Sequence, residues 1–252
     1  MIIMKKIYFT LIALLASINM LAQGWPANYS GVMLQGFSWD SYDYSQWTVL
    51  EKQADDMKGF IDLVWLPQSG KCIETTQVMG YKPYYYFNQN SSFGTEAELR
   101  SLIAKFKANG IGAIADVVVN HRNTNGWYTF PAETYKGVTY QMLPTDICKN
   151  DDGGSTATQA KKDGVSLSNN YDEGTDFGGC RDIDHKSENV QKIIEAYLTF
   201  LKEDMGYTGF RYDMVKGFSG THVADYNDAT GVEFSVGEYW DGNQSIINWI
   251  NK

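Results

Sequence analysis

The sequence predicts an α/β fold built on a parallel sheet, with an irregular subdomain inserted after the third strand. Three observations carry that prediction. Short β-rich runs alternate five times with helix-period stretches between Gly31 and Val236, as in a chain of consecutive β/α units. The third run, Ile111 to Val119, is apolar throughout, as expected of a strand whose sheet is covered by helices. The stretch from His121 to about Ile183 is rich in Asn, Asp, Gly and Thr and lacks clear helical periodicity. It is far longer than the roughly 2–6 residues of an ordinary β/α loop. An insertion there sits at the carboxyl end of the strands, the face that carries active sites in (β/α)-barrels.

The elements follow in order. Val32 to Phe37 reads as the first strand, and Trp47, Leu50, Ala54 and Met57 give a helical stripe that stops near Gly59. Leu63 to Pro67 is the second strand. Thr95 and Glu98 have the spacing of a capping box, and Leu99, Leu102, Ile103 and Phe106 follow at helical spacing before Gly110, which predicts a helix between them. After the insertion, Ser187 caps a helix carrying Val190, Ile193, Ile194, Tyr197, Leu198 and Leu201. A strand from Gly209, a helix near Thr221 to Ala229 and a strand at Val232 to Val236 complete the series.

With 252 residues, 43% of them hydrophobic, the chain can bury a sizeable core, enough for one α/β domain with an insertion. Its net charge of −9 argues against nucleic acid, whose binding needs a basic surface. A neutral substrate or a cation fits better. The seven Trp and 17 Tyr offer flat faces that stack on sugar rings, though such residues also fill ordinary cores.

The first 22 residues carry a secretory pattern: Lys5-Lys6, an apolar stretch from Ile7 to Met20, and a cleavage point after Ala22. The apolar run is short for a membrane span, so no membrane association is expected after cleavage. The domain reading is a signal peptide over 1–22, a first barrel part over 23–120, the insertion over 121–183 and a second barrel part over 184–252. Export to the periplasm or exterior implies an oxidising compartment. Cys72, Cys148 and Cys180 are odd in number, so one pair or none can form.

Polar residues collect at the strand ends. The third strand ends Asp116-Val117-Val118-Val119-Asn120-His121, the fourth ends Arg211-Tyr212-Asp213, and the fifth ends Val236-Gly237-Glu238. Side chains two apart on a strand share a face, so Arg211 lies beside Asp213. An adjacent guanidinium lowers a carboxyl pKa by about 1–3 units, which keeps a nucleophile ionised. A structural ion pair is the plainer alternative for Arg211 and Asp213 taken alone, but charges at the ends of apolar strands cost stability unless function retains them.

These runs resemble the first three signature regions of the α-amylase family, retaining hydrolases of α-1,4-glucans. Gln35-Gly36-Phe37-Ser38-Trp39, Trp65-Leu66-Pro67, Gly80-Tyr81-Lys82-Pro83 and Asp182-Ile183-Asp184-His185 are similar to its plant-type branch, from about Gly31 to Trp240. The resemblance implies a (β/α)8 TIM-type barrel, Asp213 as nucleophile and Glu238 as general acid. Apolar and aromatic surroundings are expected to raise the pKa of Glu238. His121 would hydrogen-bond the sugar before the cut, Tyr81 would stack on it, and Lys216 would reach the sugar beyond. Asp116 would brace Arg211.

The resemblance also implies Ca²⁺, held by Asn120, Asp172, Asp182 and the carbonyls of Thr175 and Gly217. A further ion would take Asp176, the carbonyls of Phe177 and Cys180, and a shared Asp182. A solvated Asp-rich loop is the alternative. The family's fourth region, whose Asp contacts sugar hydroxyls in the transition state, has no match before Lys252. The chain is therefore expected to be the N-terminal part of a longer enzyme, about five β/α units of the barrel, whose activity alone is doubtful. Expected partners are starch or another α-glucan, and the complete enzyme is expected to be a monomer. A related transglycosylase and a noncatalytic glucan-binding protein are the competing functions.

Overall fold

A computed structural model describes residues 24–252; the expected signal segment lies outside them. Five parallel strands form one sheet in the order β1-β2-β3-β8-β9. They are β1 (Met33–Gln35), β2 (Leu63–Leu66), β3 (Gly112–Val117), β8 (Gly209–Tyr212) and β9 (Phe234–Gly237), with the shorter strands β4–β7 lying in the insertion. The sheet matches the first strands of a (β/α)8 barrel, with β/α units following one another in chain order. The registers Trp65↔Ile114 and Asp116↔Arg211↔Val236 align the carboxyl ends of β2, β3, β8 and β9 along one rim.

The helices α1 (Trp47–Met57), α2 (Glu96–Ala108), α4 (Glu188–Thr199) and α5 (Gly220–Thr230) bury apolar residues in the core, whereas α6 (Asn243–Ile250) buries none of its residues, and α3 lies in the insertion. The Thr95 hydroxyl accepts from the Glu98 amide while the Glu98 carboxylate accepts from the Thr95 amide. Two amide donors at the start of α2 are thereby satisfied. The Ser187 side chain caps α4 by accepting from the Val190 amide. After Thr199 the helix widens into a π-helical turn, Phe200–Met205, and ends at Gly206 with φ 90°, a left-handed position that glycine fills without strain. The core joins Leu66, Phe106, Val117, Ile194, Leu198, Phe210 and Tyr212.

The insertion departs from its expected irregularity. Besides the antiparallel pairs β4 (His121–Arg122) with β7 (Arg181–Asp182), and β5 (Glu133–Tyr135) with β6 (Val138–Tyr140), it holds the helix α3 (Ser155–Asp163). That helix buries only Thr156 and Ala160 and is bounded by left-handed Gly154 and Gly164. Two small buried residues leave no legible apolar stripe, which is why periodicity missed it. The first strand is also shorter than expected: Gly36 still donates to the Trp65 carbonyl, but regular pairing stops at Gln35. All three cysteines are free and buried.

A buried ion pair ties the insertion to the segment before α2. Arg122 donates to Glu133 at 2.7 Å with side-chain exposures of 1% and 8%. Glu133 also accepts from the amides of Tyr86 and Phe87, Arg122 donates to the Tyr84 carbonyl, and its guanidinium lies 4.1 Å from the Tyr86 ring centre. Removing one member leaves the other charged, buried and unpaired. Glu133→Ala should lower unfolding free energy by about 3–5 kcal/mol in urea melts. Lys105→Ala, which breaks an exposed pair with Asp55, should cost under about 1 kcal/mol. Equal effects would contradict this account of the anchor.

Candidate active site

The rim of the sheet gathers three carboxylates about one guanidinium. Asp116 and Arg211 face each other across β3 and β8, and Asp213 follows one residue beyond β8. The Nη1 atom of Arg211 donates to Asp116 Oδ1 at 2.7 Å and to Asp213 Oδ1 at 2.8 Å, while Nη2 pairs with Glu238 Oε1 at 2.9 Å. Glu238 is positioned by its backbone: its amide donates to the Tyr212 carbonyl and its carbonyl accepts from the Val215 amide. Its Oε2 accepts from the Met214 amide at 3.2 Å. Met214 has φ 46°, so the chain after Asp213 reverses sharply enough to offer that amide.

Arg211 does not hold Asp213 in the ordinary carboxylate range, as the sequence led one to expect. Burial, then the neighbouring Asp116 carboxylate, push Asp213 up to about 7 against the pull of Arg211. Burial raises Asp116 to about 6. One cation shared by three carboxylates cannot offset desolvation at each. Nor is Glu238 enclosed by apolar groups: its side chain is 39% exposed and ion-paired.

The candidate sugar-binding residues lie around this cluster. The Tyr81 hydroxyl donates to Asp116 Oδ2 at 3.1 Å, and its ring lies parallel to that of Trp39, with centres 6.2 Å apart. Trp39, Tyr42, Met79, Tyr81 and Lys82 line a cavity of about 300 Å³. His121 is buried against the Phe177 ring, its Nε2 meets the Tyr81 carbonyl at 2.8 Å, and burial lowers its pKa to about 4. Its ring nitrogen is thus engaged by the backbone in this conformation. Lys216 lies over the Trp240 ring, 4.9 Å from its centre.

The candidate metal ligands fall into two neighbouring groups. Asn120 Nδ2 donates to Asp182 Oδ1 at 3.2 Å, and the Thr175 amide donates to the Lys216 carbonyl. Asn120 Oδ1 faces Gly217 so closely that a side chain there would collide with it. Buried Asp172 Oδ2 has no hydrogen-bond partner. Burial raises Asp172 to about 6, and burial together with Asp176 raises Asp182 to about 9. Asp151, Asp176 and Asp182 each offer an oxygen within 4.8 Å of the others. An orphaned carboxylate oxygen among hard oxygen donors fits a divalent cation such as Ca²⁺.

Asp151 was missed from the sequence, where Asn150-Asp151-Asp152-Gly153-Gly154 looks like a solvated turn. It is fully buried, accepting from Thr156, the Asp182 amide and Arg181. Trp65 was noticed only as part of a motif. Its indole nitrogen donates to Asp116 Oδ2 at 3.2 Å.

A family model described as alpha amylase, catalytic domain, matches residues 61–246. Alpha-amylase 3, chloroplastic, of Arabidopsis thaliana is 32% identical over 243 residues, covering 87% of this chain and 25% of that protein. Probable alpha-amylase 2 of the same plant is 30% identical over 237 residues, covering 87% and 53%. The chain therefore spans between a quarter and about half the length of these relatives. Among solved structures, an alpha-amylase from Malbranchea cinnamomea superposes with a TM-score of 0.58 at 20% identity, over 87% of this chain and 48% of that one. This likeness shows the fold.

The raised pKa of Asp213 has a stability consequence. Its folded-state value lies above the unfolded carboxylate value of about 3.9, so the ionised side chain opposes folding above pH 7. That cost fades as pH falls through 7. Asp213→Asn should raise the melting temperature by about 2–4 °C at pH 8 and by less at pH 5. A lower melting temperature at pH 8 would contradict the raised value.

Proposed function

The chain belongs to the alpha-amylase family, and from that premise we propose that a polypeptide containing it is a secreted, calcium-dependent α-amylase. It cleaves internal α-1,4-glucosidic bonds of starch-like polysaccharides with retention of configuration. The observation that carries this reading is the guanidinium of Arg211 gripping Asp213 with one nitrogen and Glu238 with the other. Two carboxylates on adjacent strands, joined through one small planar group, suit the short separation of retaining pairs, about 5–5.5 Å.

In this mechanism ionised Asp213 attacks the anomeric carbon as the glycosidic C–O bond breaks, and Glu238 gives its proton to the leaving oxygen. Water then attacks the glycosyl–Asp213 ester, its proton passes to Glu238, and Asp213 is released. Asp213 must be deprotonated first, so its raised pKa predicts activity that climbs as pH rises toward 7. Tyr81 and His121 are assigned to the sugar before the cut, and Lys216 to the sugar beyond it. Half-buried Lys216 and its contact with Trp240 support the latter role.

Asn120, Asp172, Asp182 and the carbonyls of Thr175 and Gly217 would hold one Ca²⁺. Asp176, with Asp182 and the carbonyls of Phe177 and Cys180, would hold a second, and the clustering of Asp151 with Asp176 and Asp182 supports that acidic site. When bound, the ion would supply fixed positive charge, held by residues of the insertion and of the turn after Asp213. Export rests on the pattern of the first 22 residues; among the described residues no helix is long and apolar enough to cross a membrane.

Glu238→Gln is expected to lower glucan hydrolysis by at least about 10²-fold while oligosaccharide binding persists, as read by reducing-end release and calorimetry. Unchanged turnover would remove Glu238 from its role. Chelation should lower the melting temperature and added Ca²⁺ restore it, because an ion bound only by the folded state stabilises it. Identical melting curves would end the metal assignment. A noncatalytic glucan binder would keep its affinity and release no reducing ends, and a transglycosylase would show lengthened oligosaccharide products.

A further inference from the structure

Arg211 can serve Asp213 and Glu238 together only if its plane is fixed, and carboxylates alone fix it poorly, because three of them pull on one guanidinium. A fourth, uncharged group holds it. Trp65 stands at the centre of β2, between Gln35 of β1 and Ile114 of β3, on the same sheet face as Asp116, which lies two residues after Ile114. Its ring lies under the Arg211 guanidinium, 4.7 Å from ring centre to Cζ. Its indole N–H donates to Asp116 Oδ2 at 3.2 Å, the oxygen that Tyr81 also contacts, while Asp116 Oδ1 receives Arg211. Phe37 meets the indole edge-on at 5.0 Å and 83°, which restrains its rotation.

One indole thus touches both members of the ion pair behind the two candidate catalytic carboxylates, the cation by its face and the anion by its edge. We propose that Trp65 is a positioning residue, which sets the plane of Arg211 so that its two outer nitrogens point at Asp213 and Glu238 simultaneously. This rests on the hydrolase reading above but makes a claim of its own. Trp65 touches no reacting atom. Its effect reaches the reaction through Arg211.

The groups facing Asp213 are Asp116 on β3, Arg211 on β8, Glu238 after β9 and Tyr81 in the loop after β2. Freeing Arg211 from its aromatic support weakens its hold on Asp213, so protonation of Asp213 moves to higher pH. Loss of packing alone lowers rates evenly at all pH values and leaves that titration in place.

The test compares the complete polypeptide containing this chain with its Trp65→Leu variant, which removes ring and donor, and its Trp65→Phe variant, which keeps a ring face. In Trp65→Leu, kcat on soluble α-glucan should fall about tenfold to a hundredfold with KM within about twofold. The acidic limb of the rate profile should move to higher pH, and Trp65→Phe should recover most of both. The Asp213 carboxyl resonance, titrated without substrate, should shift upward in Trp65→Leu. Should that variant fail to fold, the same titration and rate profile of Trp65→Phe decide, with a smaller upward shift expected. An even loss of rate with Asp213 titrating as in the parent overturns the proposal. A complete parent polypeptide containing this chain that releases no reducing ends, yet shows the Asp213 shift on substitution, upholds the positioning role and rejects the hydrolase reading.

Discussion

One arginine side chain organises the rim of this sheet. Arg211 faces Asp116 across the β3–β8 pairing and reaches Asp213 and Glu238 with the two arms of its fork. Its rigid planar geometry suits this in a way a lysine would not. The strand registers matter because they set where those charges lie: a slip of one residue in β8 would send Arg211 to the opposite face of the sheet. The local charge balance stays negative, and burial then leaves Asp213 and Asp116 easier to protonate than ordinary carboxylates.

The insertion repeats the theme with a different solution. Around Asp172, Asp176, Asp182 and Asp151 acidic groups again exceed nearby cations, with Arg181 paired to Asp151 alone. Burial first, and then Asp176 beside it, push Asp182 up to about 9. The two clusters are mechanically connected. Asn120 follows the end of β3, and Gly217 closes the turn that begins with Met214, the residue whose amide holds Glu238. A cation between insertion and turn would therefore steady the loop that presents the proposed acid.

Much of this was legible in the chain. Helices α2 and α4 announce themselves by caps and stripes, Thr95 with Glu98 and Ser187 before Val190, because local hydrogen bonds and periodicity depend on neighbours in sequence. Asp116, Arg211, Asp213 and Glu238 could be marked because polar residues ending apolar strands stand out. What the sequence hides is environment. The shared use of Arg211, and so the upward shift of Asp213, depends on three strands meeting. The burial of Asp151 depends on β7 closing over it, and the short α3 has too little apolar surface to show a period. The engagement of His121 by the Tyr81 carbonyl joins segments 40 residues apart, a distance at which spacing carries no signal.

The central claim is that Asp213 forms the covalent bond to sugar while Glu238 supplies the proton. The most direct measurement is intact-mass and peptide analysis of the protein after exposure to a slow, activated fluoro-maltosyl substrate. The account predicts one glycosyl adduct, on the peptide carrying Asp213, that decays in water and is absent in Asp213→Asn. Reducing-end release from starch with no adduct, or an adduct on another side chain, would contradict it.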